Sequence, residues 1–236
     1  RLINQLARET KVLTFDSDAP LANTLGYVGT SNYGAGKLAA ELVHQALPEG
    51  GKIAVMMANN TKANLLNRKN GFEENIHRLL PGDTAGALGE YTIVDYLVDE
   101  GNDERAAELV RQVFQDHPDL ACIVAMNAQH GPILMRLREE LEKLGEVALI
   151  TFDHDEATLQ GISDGHIFAT IAQDPYSFGY EAVRILTTRP RDDQEGVPIV
   201  GRGSWHVPTE VVQQENLQDF RQRLQKRLAR STSSAG

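Results

Sequence analysis

The chain has 236 residues, of which 41% are hydrophobic and 24% charged, as in a globular protein that buries a sizeable core. Its formal net charge of −10 argues against a nucleic-acid-binding surface, because such a surface clusters Lys and Arg against phosphate. No window approaches the roughly 20 apolar residues that a transmembrane helix needs. The single cysteine, Cys122, lies in an apolar run, so we expect a buried thiol and no internal disulfide.

The chain starts at Arg1, with neither Met nor a signal peptide. Its first ten residues place Leu2, Ile3, Leu6 and Ala7 on one helical face, and no capping residue precedes them. This pattern predicts the last turns of a helix. We therefore expect that further sequence once preceded Arg1.

Predicted strands and helices alternate along residues 11–188. The predicted strands cover 11–16, 27–30, 52–58, 91–98, 121–127, 147–153 and 167–173. The predicted helices cover 31–47, 67–80, 103–117, 131–145, 155–163 and 175–188. Repeated strand–helix units of this length imply right-handed crossovers and a mainly parallel sheet with helices on both faces. The sequence therefore predicts an α/β fold.

The pattern changes after residue 188. We expect a polar loop at 189–198, an extended segment at 204–212, an amphipathic helix at 215–230 and a frayed tail at 231–236. Five basic residues between Arg221 and Arg230 suit the C-terminal end of a helix. They predict a solvated face, with a partner-docking face as the alternative.

A short motif occurs twice. Residues 13–18 read LTFDSD and residues 150–155 read ITFDHD, which places two copies of Thr-Phe-Asp-x-Asp 137 positions apart. A single copy would indicate a strand that ends in a turn. Two copies predict two related halves of the fold, each presenting an acid at the end of a buried strand.

Ligands of open parallel α/β sheets bind beyond the carboxyl ends of the strands. Polar residues with short, rigid side chains follow the predicted strands at Asp16, Asn59, Asn60, Asn127, Asp153 and Gln173. A carboxylate accepts two hydroxyl hydrogen bonds and an amide both donates and accepts, which suits the adjacent hydroxyls of a polyol. The alternative for each residue is a turn or a helix cap. Asp155 fits an N-cap better, and Asp18 fits a turn.

Catalytic motifs are absent from the sequence. There is no GxSxG elbow, no P-loop and no GxGxxG after a strand. The run YGAGK at 33–37 lacks phosphate-loop spacing and indicates close packing at a helix start. His130 and His154 lie near strand ends without the pairing typical of a metal site. We therefore expect neither an enzyme nor a bound metal or cofactor.

Five segments together resemble the ribose-type periplasmic sugar-binding proteins of bacterial ABC importers, a family related to repressor effector cores. They cover 11–20, 26–43, 67–76, 124–137 and 150–186, in the family's order. The last, with TIAQDPY, is more similar to transporter binding proteins than to the repressors. The resemblance implies two doubly wound lobes joined by crossover hinge strands, with sugar enclosed between them.

The resemblance also implies how the chain divides. Residues 33–172 would form the second lobe, whereas 1–32 and 173–236 would form a partial first lobe with a C-terminal extension. The family's chain begins with about three further strand–helix units of the first lobe. We therefore expect the first lobe to be incomplete in this chain.

The family's site residues transfer to positions that match its motifs. The resemblance implies ligand-binding roles for Asp16 and Thr30 in the first lobe and hinge, Asn127, Phe152 and Asp153 at second-lobe strand ends, and Gln173 on a hinge strand. One position departs from the family pattern. Leu66 lies where relatives often place a polar or basic ligand contact. Asn64, Asn67 or Arg68 is the candidate substitute, although a surface position on the helix is the favoured interpretation of Arg68.

The function implied is capture of a small sugar or polyol for delivery to an ABC permease in the membrane. The location implied is the periplasm, or a secreted and membrane-associated state, and no nucleic-acid partner is expected. Two alternatives stay open: the effector-binding core of a sugar-responsive transcription repressor, and the sensory ectodomain of a receptor.

Overall fold

The structure is a computed structural model that describes residues 1–78, 90–188 and 203–233. The strands are β1 (Thr14–Phe15), β2 (Gly26–Gly29), β3 (Gly50–Met57), β4 (Glu90–Val98), β5 (Leu120–Ala125), β6 (Ala148–Phe152), β7 (Ala169–Ala172), β8 (Gly203–His206) and β9 (Glu210–Val212). The α-helices are α1 (Leu2–Leu6), α2 (Asn32–Ala46), α3 (Ala63–Ile76), α4 (Asp103–Asp116), α5 (His130–Arg138), α6 (Glu156–Ser163), α7 (Pro175–Thr188) and α8 (Leu217–Ser233). The predicted alternation of strands and helices is confirmed.

The strands form two sheets. The smaller sheet has the order β1-β2-β8, with all pairs parallel. The larger has the order β4-β3-β5-β6-β7-β9 and is parallel except for β9, which runs antiparallel to β7. The predicted α/β class with parallel sheets is therefore confirmed.

The chain passes between the two sheets at three points. It crosses after β2 at 30–31, after β7 at 173–174, and between β8 and β9 at 207–209. The segment 173–236, predicted to lie with the first lobe, divides in the structure. Helix α7 and β8 lie with the smaller sheet, whereas β9 pairs with β7 and α8 packs on the larger sheet.

The core lies on both faces of the larger sheet. Along β3, Ala54 and Met56 belong to one buried cluster, and Ile53, Val55 and Met57 belong to the cluster on the other face. Successive side chains of a strand point to opposite faces, so a strand covered on both sides is apolar throughout. This explains why residues 53–58, which follow Lys52, are all apolar. Cys122 is fully buried, as predicted, and burial raises the pKa of its thiol.

Several predicted boundaries differ from the structure. The first strand spans only Thr14–Phe15, and the side chain of Phe15 is 55% exposed. The helix predicted at 131–145 ends at Arg138, and a separate 3₁₀ turn, Glu142–Gly145, brings Leu144 into the core. The prediction of α3 extended to residue 80, but the helix ends at Ile76.

Some predictions concern residues outside the described ranges. The polar loop predicted at 189–198 lies there, as do 79–80 of the predicted third helix and 234–236 of the predicted tail. The described part of the tail, 231–233, continues α8. Within the described ranges, no helix combines the length and apolar character needed to span a membrane.

The basic residues of α8 were predicted to form a solvated face. The side chains of Arg223 and Arg227 are 51% and 57% exposed, as predicted, whereas that of Arg221 is only 24% exposed, and all three pair with carboxylates. Arg221 pairs with Glu156 of α6, at 3.0 Å between the closest atoms. Arg223 pairs with Glu210 of β9. Arg227 pairs with Asp174, which precedes α7, at 2.7 Å. The apolar residues of α8 pack against neighbouring elements, so the arginines beside them lie close to carboxylates of those elements.

Two glycines let helices α2 and α3 approach closely. A Cβ added at Gly36 would lie 1.9 Å from the carbonyl oxygen of Arg68, and one at Gly71 would lie 2.0 Å from that of Tyr33. Each helix therefore rests on backbone of the other, which leaves no room for a side chain. The prediction that YGAGK serves close packing rather than phosphate binding agrees with this contact.

We predict that Gly71→Ala lowers the free energy of unfolding by about 1–3 kcal/mol, because the added methyl group forces the two helix backbones apart. The matched control is Gly179→Ala in α7, where a Cβ would meet nothing within 4 Å. There the better helix propensity of Ala should leave stability unchanged or raise it by up to about 1 kcal/mol. Urea unfolding of both variants checks this, and equal effects would contradict the packing argument.

Candidate functional site

The two Thr-Phe-Asp copies have the same backbone geometry. Asp16 follows β1 with φ of 62°, and Asp153 follows β6 with φ of 69°. The amide of Asp16 donates to the Val28 carbonyl and that of Asp153 donates to the Ile171 carbonyl, both at 3.0 Å. A left-handed conformation is uncommon outside glycine but is tolerated best by Asp and Asn. The motif therefore encodes the same strand end in each sheet, as the repeat predicted. The prediction that both strands are buried is wrong for β1, in which Phe15 is exposed.

The carbonyl groups of these two aspartates are also held alike. The Tyr27 hydroxyl lies 2.9 Å from the Asp16 carbonyl oxygen, and the Thr170 hydroxyl lies 2.6 Å from that of Asp153. In both cases the hydroxyl comes from the neighbouring strand. The Asp153 carboxyl group also accepts a hydrogen bond from the Gln173 backbone amide.

Arg68 of α3 is the central residue of the site. It is only 3% exposed and donates to Asn32 Oδ1 at 2.9 Å, to the Met126 carbonyl at 2.6 Å and to Gln173 Oε1 at 2.9 Å. Its guanidinium group lies 4.4 Å from the ring centroid of Phe152, a cation–π contact. The favoured interpretation of Arg68 as a surface residue is therefore wrong.

A signal for the burial of Arg68 was present in the sequence. Leu65, Arg68, Phe72 and Ile76 are spaced by three or four residues, and all are buried on one face of α3. A charged residue on an apolar helical stripe needs several hydrogen-bond partners there. Burial lowers the pKa of Arg68, and the negative charges of Asp153 and Asp16 act in the opposite direction.

Gln173 connects the two sheets. Its Oε1 accepts from Arg68, and its Nε2 donates to the Thr30 hydroxyl at 2.7 Å. Arg68 belongs to the larger sheet's layer and Thr30 directly follows β2 of the smaller sheet, so the amide bridges a crossing point. The hydrogen bonds fix the orientation of the amide and leave one N–H of Nε2 for a ligand.

The other predicted second-lobe residues lie beside this network. Asn127 Oδ1 accepts from the Ala58 amide at 2.9 Å, which leaves its Nδ2 group to donate elsewhere. Burial raises the pKa of the Asp153 carboxyl group, and the neighbouring Arg68 charge offsets part of this rise. Asp153 is partly buried, whereas Asp16 is exposed. The Asp153 carboxyl group and the amides of Asn127 and Gln173 thus follow strands of the larger sheet, whereas Asp16 follows β1 of the smaller sheet.

Two of the predicted residues are closed off from solvent in this conformation. Thr30 is 2% exposed and is held by Gln173, and the ring of Phe152 is fully buried beneath Arg68. Both residues therefore expose almost no surface in this conformation, and their ligand-binding roles stay predictions.

The three candidate substitutes for Leu66 differ in their burial and in their contacts. Asn67 is exposed on α3, whereas Asn64 is partly buried with an Oδ1 atom that has no hydrogen-bond partner. Of the three candidates, Arg68 is the one that contacts Gln173.

The remaining polar candidates have structural partners. Asp155 caps α6 by accepting from the Thr158 amide at 3.1 Å, as predicted. His130 is fully buried and its Nε2 lies 2.7 Å from Asp99 Oδ2, while the ring of His154 packs edge-on against Phe220. Over the described ranges, no group of three or more His, Cys, Asp or Glu residues is placed to hold a metal ion.

We predict that Arg68→Met lowers the free energy of unfolding by about 2–4 kcal/mol, because buried carbonyl and amide oxygens lose their donors. The matched control is Lys69→Met on the same helix, where the half-buried Lys69 pairs with Glu73. A pair of that kind contributes about 1 kcal/mol or less. Urea unfolding measures both variants, and a loss at Arg68 no greater than at Lys69 would contradict the central role of the guanidinium group.

We predict that Asp153→Asn raises stability near neutral pH. The raised pKa means that the folded state holds the Asp153 proton more tightly than the unfolded state. The contribution of this group to the free energy of unfolding is therefore fully present below the unfolded pKa and is lost as the pH rises through the folded pKa. Urea unfolding of both proteins between about pH 3 and pH 7.5 tests this. A variant less stable than wild type at neutral pH, or an advantage that grows on acidification, would contradict the assignment.

The sequence matches a family model and several known proteins. A family model described as a periplasmic binding protein domain matches residues 2–189. The xylose/arabinose-binding protein XylF of Sulfolobus acidocaldarius is 29% identical over 163 residues, which are 66% of this chain and 37% of XylF. The chain thus spans well under two thirds of the length of that relative.

Solved structures agree with the fold. A solute-binding protein of an ABC transporter from Burkholderia graminis, in complex with D-arabinose, matches with a TM-score of 0.79 and 25% identity over 92% of this chain and 71% of that chain. GanP, a glucose-galactose binding protein from Geobacillus stearothermophilus, matches with a TM-score of 0.77 and 26% identity over 92% of this chain and 72% of that chain.

Proposed function

Because this chain belongs to the periplasmic binding protein domain family, we propose that it binds a small sugar or polyol at the strand ends between its two sheets. The observation that carries the proposal is the placement at strand ends of two carboxyl groups, on Asp16 and Asp153, and of two oriented amide donors, on Asn127 and Gln173. A sugar hydroxyl donates to a carboxylate while accepting from an amide, and charge-assisted bonds of this kind are the strong ones. Relatives named for xylose, arabinose, glucose and galactose support this ligand class.

Binding would proceed by closure of two lobes. We assign the smaller lobe to the β1-β2-β8 sheet with α7, and the larger to the six-stranded sheet with α8. Asp16 belongs to the first and Asp153 to the second, so a ligand held by both favours the closed arrangement. The three crossings at 30–31, 173–174 and 207–209 would act as the hinge.

The proposed role is capture rather than conversion. A binding protein of this kind would release its sugar to an ABC permease, and it would work in the periplasm or attached to the outer surface of a membrane. Family membership and the solute-binding protein from Burkholderia graminis support this context.

We predict that Asp153→Ala weakens binding of a pentose or hexose by about 10- to 150-fold, since a charge-assisted hydrogen bond contributes about 1.5–3 kcal/mol. Asp155→Ala is the matched control: this neighbouring acid caps α6, so its loss should cost about 1 kcal/mol of stability and leave sugar affinity unchanged. Calorimetric titration with arabinose, xylose, ribose, glucose and galactose supplies the affinities.

The titrations test the site assignment and the proposed ligand class separately. Wild-type affinity that survives Asp153→Ala would contradict the site assignment, while binding of none of these sugars by the wild-type chain would contradict the proposed ligand class. Thermal unfolding with each sugar gives an independent measure, because a ligand specific for the folded state raises the midpoint.

A further inference from the structure

Helix α8 is anchored to the larger sheet. Leu217 and Phe220 are buried in the core cluster on one face of that sheet, and Leu224 packs against it. Arg221 adds an ion pair with Glu156 of α6, which belongs to the same layer. This part of α8 therefore moves with the larger lobe.

The far end of α8 reaches the crossing between the sheets. Arg227 Nη1 donates to Asp174 Oδ2 at 2.7 Å. Asp174 follows β7 of the larger sheet and precedes α7, whose residues Ala182 and Ile185 pack against Val28 of the smaller sheet. The ion pair thus connects a helix of one lobe to the point where the chain enters the other.

Asp174 also caps the N-terminus of α7. Its Oδ1 accepts from the Ser177 amide at 3.2 Å and its Oδ2 accepts from the Ser177 hydroxyl at 2.7 Å, the contacts of a helix N-cap. Burial raises the pKa of the Asp174 carboxyl group, but the bonds from Ser177 and Arg227 outweigh this effect and lower it overall. The carboxylate is therefore charged at neutral pH and available to Arg227.

The contact spans a gap rather than a packed interface. A cavity of about 240 Å³ lies between α8 and the crossing, lined by Gln173, Tyr176, Phe220, Leu224 and Arg227 among others. Close apolar packing does not fill this space. The Arg227–Asp174 ion pair joins α8 to the crossing at the rim of this space, beside the β7–β9 pairing of Ala172 with Glu210.

Adjacent residues of the crossing are held by different elements. Gln173 is bonded to Arg68 and Thr30, and Asp174 is bonded to Arg227 of α8. We propose that Arg227 is a positioning residue: by holding Asp174 it fixes the backbone of the crossing, from which the Gln173 amide reaches Arg68, Thr30 and a ligand. The effect on ligand binding rests on the proposed function, whereas the effect on the crossing does not.

The size of the effect follows from exposure. The Arg227 side chain is 57% exposed and that of Asp174 is 20% exposed, so water screens the pair and its contribution is modest. We expect Arg227→Ala to weaken sugar affinity by about two- to five-fold at low salt. High salt screens the pair in the wild type, so the difference should shrink between about 0.05 and 0.5 M salt.

The chain offers a matched control in Arg221→Ala. Arg221 lies on the same helix and forms an ion pair of the same kind, but its partner Glu156 belongs to the same lobe. Sugar affinities of the wild type, both alanine variants and Arg227→Lys, measured at both salt concentrations, test the proposal. We expect a loss for Arg227→Ala alone, its reduction at high salt, and partial recovery with Arg227→Lys.

Hydrogen exchange of the sugar-free protein provides the second readout. We expect the amides of 173–178 to exchange faster in Arg227→Ala than in the wild type or Arg221→Ala, because the crossing has lost its contact with α8. Equal affinity losses in both alanine variants, or unchanged exchange at 173–178, would overturn the proposal. If the wild type binds no sugar, the proposed function fails, and the exchange comparison alone decides whether Arg227 holds the crossing.

Discussion

The arrangement of the site depends on one buried cation, the guanidinium group of Arg68. A buried charge is stable only if its donors are satisfied, and Arg68 meets this requirement through Asn32, Met126 and Gln173. These partners lie at the start of α2, directly after β5 and at the crossing after β7. Three otherwise separate segments are therefore held together where the strands of the larger sheet end.

The same requirement determines which groups remain for a ligand. Gln173 Oε1 is directed at Arg68, so its Nε2 faces Thr30 and the site. The Ala58 amide orients Asn127 in the same manner. Asp153 lies near the Arg68 charge, but burial dominates and raises its pKa. The site thus combines a carboxyl group that is costly to bury with amide donors that are already oriented. Such a combination lowers stability and is typical of residues used for binding.

Arg68 and Arg227 illustrate two ways in which arginine connects this fold. Arg68 is 3% exposed and joins the crossing after β7 to the larger sheet from the ligand side. Arg227 is 57% exposed and reaches the next residue of that crossing from α8. The first contact satisfies a buried charge, whereas the second is exposed to water and contributes modestly.

Much of this could be predicted from local pattern alone. Periodicity determined the α/β class and most elements, the repeated Thr-Phe-Asp predicted two equivalent strand ends, and the polar residues after strands marked the candidate site. The structure decided what depends on distant residues: that Arg68 is buried, that Phe152 supports it, and that β9 and α8 join the larger sheet. Local patterns report one element's preference, whereas these outcomes arise from hydrogen bonds and contacts between segments up to about 140 residues apart, such as Thr30 with Gln173.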